Sequence, residues 1–184
     1  MTLSFNDIAL LKHFQVKTVK CFFIIQFFIF HSVYSYGDDS KLNLLSVPTG
    51  FKISIFAQNI SSPRQITEGS EYIFTASGSA GQIYALSDLN SDYVIDSNRI
   101  IAKDLFDSRG VTYKDGDLYF AEVDKIWVIR DVEDWLNSNK EGMPKKELIT
   151  NNLPSNPWHG WKWIKFGPDN KLYVPVGDPC NVCL

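Results

Sequence analysis

Trp158-His159-Gly160-Trp161-Lys162-Trp163-Ile164-Lys165-Phe166-Gly167-Pro168-Asp169-Asn170-Lys171-Leu172-Tyr173-Val174-Pro175-Val176-Gly177-Asp178 reads as strand, tight turn, strand. Trp161 and Trp163 alternate with Lys162, Ile164 and Phe166 in a run rich in strand formers. Gly167-Pro168-Asp169-Asn170 is the turn: proline presets φ, and Asp and Asn bond their own backbone and tolerate left-handed conformations. On the returning strand Leu172, Val174 and Val176 share one face, and Tyr173 and Pro175 the other. His159 stands just before the first strand. A histidine is the common side chain that takes a proton near neutral pH without special tuning. It serves equally well as a strand cap or a partner for a backbone carbonyl.

Upstream, the same strand-turn-strand unit recurs. Pro63-Arg64-Gln65-Ile66 leads to Gly69-Ser70-Glu71-Tyr72-Ile73-Phe74, and Gly81-Gln82-Ile83-Tyr84-Ala85-Leu86 follows. A second unit begins at Arg109-Gly110-Val111, turns at Lys114-Asp115-Gly116-Asp117, and continues through Leu118–Glu122 to Lys125-Ile126-Trp127-Val128-Ile129. Aligned on Tyr72, Tyr119 and Tyr173, the steps are 47 and 54 residues. Several short strands per unit at roughly 40–50 residues is the signature of a β-propeller. The expected fold is therefore all-β: about three blades of a six-bladed ring, cut off at the C-terminus. One blade cannot bury both faces of its sheet, and stacking around an axis covers them. Asp131 to Asn137, with Val132, Trp135 and Leu136 at helical spacing, predicts a short helix between blades two and three, and 138–157 reads as a connector.

The 184 residues suit one ordinary domain, 45% hydrophobic content suffices for a core, and a 14% aromatic share favours strands. A net charge of −3 gives no basic patch for nucleic acid. Lys17 and Lys20 precede the apolar run Cys21 to Phe30, and Ser35, Tyr36 and Gly37 precede polar Asp38-Asp39-Ser40. That is the layout of a signal peptide, so residues 1–37 are expected to be an N-terminal extension and signal segment, and 38–184 the propeller portion. The expected location is periplasmic or secreted. The alternative is a membrane anchor over residues 21–36, although the run is short for a span. Three cysteines are too few for a disulfide scaffold or a four-cysteine zinc site. Cys180 and Cys183 fit a short-loop disulfide, a redox pair or half of a metal site.

Three further groups carry candidate chemistry. Asp88, Asn90, Asp92 and Asp96 place oxygens at alternate positions, as a hard cation such as Ca²⁺ requires. Tyr93 stands where such a loop has glycine, and Arg99 where it has glutamate, so a solvated turn is the competing reading. Trp158, Trp161 and Trp163 offer flat faces for a sugar or a cofactor. Trp158 is the expected cleft residue, while Trp161 and Trp163 are expected to pack between blades. Arg64 and Arg109 stand at equivalent points before the first strands, where a guanidinium fork would suit carboxylates; a surface arginine is the alternative.

The His159 stretch resembles the glucose/sorbosone dehydrogenase family, the soluble quinoprotein sugar dehydrogenases, and within it the sorbosone-dehydrogenase-like branch. The carrying residues are His159-Gly160-Trp161-Lys162, Phe166-Gly167-Pro168-Asp169, Lys171-Leu172-Tyr173-Val174-Pro175-Val176-Gly177 and Pro179-Cys180-Asn181-Val182-Cys183. In that family a histidine eight residues before the Gly-Pro-Asp turn is the general base, and His159 has that spacing to Gly167. The resemblance implies oxidation of an aldose or sorbosone-type sugar, with hydride transfer to pyrroloquinoline quinone (PQQ) and His159 taking the hydroxyl proton. It implies Ca²⁺ and basic residues from later blades as holders of the quinone, so this chain alone is expected to be inactive. Arg109, Arg64 and Trp158 are the expected quinone contacts, although the branch commonly has Asn at the place of Arg109. Asp169 is a turn residue, and the family commonly has Ala at the place of Asp178, so neither receives a role. The expected partner is a small sugar, with an electron acceptor of unknown kind and a membrane only if the signal segment stays uncleaved. The alternative function is a non-catalytic sugar- or protein-binding propeller.

Overall fold

The computed structural model describes residues 39–182. The N-terminal signal segment expected over 1–37, the apolar run at 21–36 and Cys183 lie outside the described residues. The chain divides into two compact units, 1–46 and 47–184. In the first, Asp39–Leu44 forms a 3-10 helix. The second is nearly all β. Among the described residues no helix is long and apolar enough to cross a membrane.

The second unit opens on strands β1 (Ile66–Glu68), β2 (Ile73–Ala76), β3 (Ile83–Ser87) and β4 (Ser97–Ala102), an antiparallel meander in sequence order. Strands β5 (Gly110–Lys114), β6 (Asp117–Ala121), β7 (Ile126–Ile129) and β8 (Glu147–Thr150) repeat it. A hairpin of β9 (Lys165–Phe166) and β10 (Leu172–Tyr173) follows. The first strands lie together, β1 and β2 against β5, and β5 against β9. Consecutive four-stranded meanders joined through their first strands are the arrangement of propeller blades. Phe74, Ile83, Ile101, Leu118, Phe120 and Ile129 form the core of the two sheets, with Val132 and Leu136 of α1 (Val132–Asn137) sealing one end. The helix forms on the expected residues, but it connects β7 to β8 within the second sheet instead of joining the second unit to the third.

Four expectations need correction. Tyr72, Tyr119 and Tyr173 are not all equivalent. Gly69 N donates to Tyr72 O at 2.8 Å, and Lys114 pairs with Asp117, so Tyr72 corresponds to Asp117 and the first step is 45 residues. The shorter step agrees with Arg64 and Arg109, which do correspond. The connector 138–157 contains a strand, β8, whose Leu148 and Ile149 are exposed; an edge strand open to water carries little apolar patterning. The strand expected from Trp161 shrinks to two residues because Ile164 N and O, which a ladder would use, bond the Gln65 side chain instead. Finally, Trp161 and Trp163 are half-exposed rather than packed between sheets, and Lys162 and Ile164 are the buried pair. The second sheet covers that buried face, where Ile164 packs with Ala121 and Ile126.

Candidate functional site

Gln65 joins the three strand units. Its Oε1 accepts from Val111 N (3.2 Å) and Ile164 N (3.2 Å), its Nε2 donates to Ile164 O (2.8 Å), and its own N–H donates to Arg109 O (3.2 Å). A carboxamide oxygen has two lone pairs, and both are used. The side chain therefore fixes the start of the third unit against the first strands of the other two.

From that anchor the chain runs back to His159. Asn156 Oδ1 accepts from Trp158 N at 2.9 Å, and Gly160 N donates to Pro157 O at 3.1 Å, a tight turn that leaves His159 at φ +56°. A non-glycine residue in the left-handed region is uncommon and persists only where its surroundings over-determine it. Here Gly177 supplies part of that constraint: a Cβ on it would lie 2.3 Å from the His159 carbonyl oxygen. The imidazole Nδ1 lies 2.9 Å from Asp178 O. A carbonyl only accepts, so Nδ1 carries the hydrogen, and in the neutral ring Nε2 then holds the lone pair. Half-exposed, with Trp158 at 5.0 Å between ring centroids, the ring is set to accept a proton at Nε2.

The other expected residues are distributed around this turn. Trp158 is 58% exposed beside the imidazole and offers a flat apolar face. Arg109 is brought to the same segment, its guanidinium 4.0 Å over the Trp161 ring. However, Arg109 Nε pairs with Asp107 Oδ1 at 2.8 Å and an Nη with Oδ2 at 3.3 Å, so its charge is already matched. Arg64 is exposed, with its side chain against the Gly78 turn.

Asp88, Asn90, Asp92 and Asp96 lie between β3 and β4, the outer strands of the first sheet. Their oxygens accept backbone amides: Asp88 from Asp92 N and Tyr93 N, Asn90 from Asp92 N, Asp92 from Val94 N, Asp96 from Leu89 N. Tyr93 makes the sharp bend at φ +68°, where a cation loop has glycine. Among the described residues no group of three His, Cys, Asp or Glu side chains is arranged to hold a metal ion. Cys180 is disulfide-bonded.

Sequence reading gave no role to three residues of this arrangement: Gln65, Gly177 and Asp178. Asp178 acts through its carbonyl, which every residue carries, so side-chain chemistry gives no signal for it. Gln65 and Gly177 had weak signals, a polar residue beside Arg64 and a glycine closing an apolar strand.

No family model matches the chain. An uncharacterized protein of Borreliella burgdorferi is 35% identical over 149 residues, 75% of this chain and 37% of that protein. Among solved structures, the holo form of the pyranose dehydrogenase PQQ domain from Coprinopsis cinerea matches 74% of this chain and 33% of its own, with a TM-score of 0.63 at 12% identity. A calcium structure of a Trichoderma reesei carbohydrate-active enzyme of family AA12 matches 68% and 32%, with a TM-score of 0.55 at 15% identity. The chain thus spans about a third of the length of each of these proteins, and what it shares with the solved ones is the fold.

Proposed function

We propose that this chain is part of a propeller-shaped, PQQ-dependent oxidoreductase acting on a sugar of the aldose or sorbosone type, with His159 as general base. The observation that carries the reading is the imidazole: Nδ1 is committed to Asp178 O, which leaves Nε2 as a proton acceptor. The fold likeness to a PQQ domain and to an AA12 enzyme supports it. Blade number and ring closure belong to the proposal.

The fit to a flat quinone rests on Trp158, whose exposed ring beside His159 would stack on it, and not on Arg109, already paired with Asp107. When bound, PQQ supplies the acceptor for the hydride leaving the sugar carbon. This chain's residues supply the rest of the step seen from their side. Asp178 O holds the ring orientation, Nε2 takes the hydroxyl proton, and Trp158 covers one flank of the reacting pair. The described residues do not fit Ca²⁺, because the Asp88 loop directs its oxygens to its own amides, and no step is drawn through the ion. Export is part of the same proposal, supported by the disulfide at Cys180.

The test is steady-state oxidation of aldoses by the full-length protein loaded with PQQ, using a dye acceptor. Removing a general base costs about 10²–10⁴ in rate, so His159→Ala should lose turnover on that scale. Undiminished turnover in that variant refutes the assignment. The half-exposed Trp158, Trp161 and Trp163 favour a second reading, a sugar-binding propeller without catalysis. Sugar binding without quinone binding would establish it.

A further inference from the structure

Lys162 is a cationic residue with about 1% of its surface exposed, flanked in sequence by two half-exposed tryptophans. Burying an ammonium is costly unless it is paired, and methionine would fill the same space without that cost. Burial lowers the basicity of Lys162, and the carboxylate of Asp124 opposes that effect. Asp124 also pairs with Lys125 at 2.8 Å. The Lys162 ammonium itself donates to the carbonyl oxygen of Gly160, the residue that follows His159. A bond from a charged donor is about twice as strong as a neutral one.

The Gly160 peptide is where such a bond has most effect. The peptide before it leaves the left-handed His159, with its N–H held by Pro157 O and its carbonyl, that of His159, approached by Gly177; the Lys162 bond secures the peptide that follows. We propose that Lys162 is a positioning residue for His159: its bond to Gly160 O fixes the Gly160–Trp161 peptide, the second after the imidazole, and so holds Gly160 and the turn before it, keeping Nδ1 on Asp178 O and Nε2 open. The inference rests on reading His159 as the base and names what holds that base in its working tautomer. A lysine present only for its apolar stem would contribute stability and leave the imidazole unchanged.

The experiment is NMR of the 184-residue chain with ¹⁵N-labelled histidine, comparing wild type, Lys162→Met, and Leu118→Ala as a destabilised core control. In wild type the two His159 ring nitrogens should resonate far apart, as a single neutral tautomer requires. In Lys162→Met they should draw together. Leu118→Ala should lower stability and leave their separation unchanged. An unaltered nitrogen separation in Lys162→Met overturns the proposal. If that variant does not fold, wild type suffices: the separation of the His159 ring nitrogens must narrow as the Lys162 ammonium is deprotonated at alkaline pH, and indifference to it overturns the proposal equally. The base assignment is judged by turnover of His159 variants and the positioning role by the imidazole spectrum, so either can fail alone.

Discussion

Gln65→Met is the sharpest test of how the three strand units are joined. Methionine matches the volume and flexibility of glutamine and removes every polar atom of the side chain. It leaves Val111 N, Ile164 N and Ile164 O without the partner each has in the structure. A buried backbone group stripped of its partner costs about 1–3 kcal/mol. Gln65 is only half-buried, so water reaches part of the space, and the low end, about 1 kcal/mol for each of the three, is the better figure. Roughly 3 kcal/mol corresponds to a fall in Tm of about 6–12 °C for a chain of this size. Gln65→Glu adds a second readout. The carboxylate keeps an acceptor for the two amides but turns a bare oxygen toward Ile164 O, and protonation restores the donor. The folded state therefore raises the pKa of that glutamate above its unfolded value of about 4.3, and its stabilising contribution is present below that value and lost as pH rises through the folded one. Thermal unfolding followed by tryptophan fluorescence between pH 4 and 8 should show Gln65→Glu recovering on acidification, relative to wild type, and Gln65→Met not recovering. A loss below about 1 kcal/mol in Gln65→Met would refute the view that this side chain holds the units together.

Glu133 should be the acid-sensitive point. Burial pushes its pKa up, but amides of Glu71, Tyr72 and Ser70 and the Tyr113 hydroxyl outweigh that and hold the carboxyl below its ordinary range. A depressed pKa contributes stability above about 4.3 that is lost as pH falls through the folded value, so Glu133→Gln should flatten the acid limb of a stability–pH curve. Gly177→Ala should cost activity in the full-length protein well beyond any change in Tm, because its methyl would displace the His159 carbonyl; turnover paired with calorimetry checks this. Calcium titration followed by calorimetry should show no saturable binding at sub-millimolar concentration to the Asp88 loop; a stoichiometric transition abolished by Asp88→Asn would show the ion displacing the amide bonds.

The two full sheets were legible because their second and third strands are buried on at least one face. Phe74, Leu118 and Phe120 leave an apolar signature of period two that water enforces. The edge strands were not: β4 begins Ser97-Asn98-Arg99 and is buried only at its end, at Ile101 and Ala102, and β8 exposes Leu148 and Ile149, so neither carries an alternating pattern along its length. The tyrosine alignment failed for a related reason. A similar residue two places along a strand keeps the same face, so side-chain character alone cannot fix register to better than two residues. The hairpin bonds at Gly69–Tyr72 and Lys114–Asp117 fix it.

The site divides along the same physical line. A histidine announces itself by chemistry, but the expected role of His159 came from the family it resembles, through its spacing to Gly167. What converts an imidazole into a directed proton acceptor is the conformation of the peptides around it, and those peptides are set by Gly177 through close approach and by Asp178 through a carbonyl. Such contributions are nearly independent of side-chain identity. Asp178→Ala should therefore leave the imidazole hydrogen bond in place, whereas Gly177→Ala, a change of one methyl, should not. The pair separates main-chain from side-chain control of the base. Equal loss of His159 tautomer purity in both variants, read from its ring-nitrogen resonances, would show that the Asp178 carboxylate matters and that the carbonyl account is wrong.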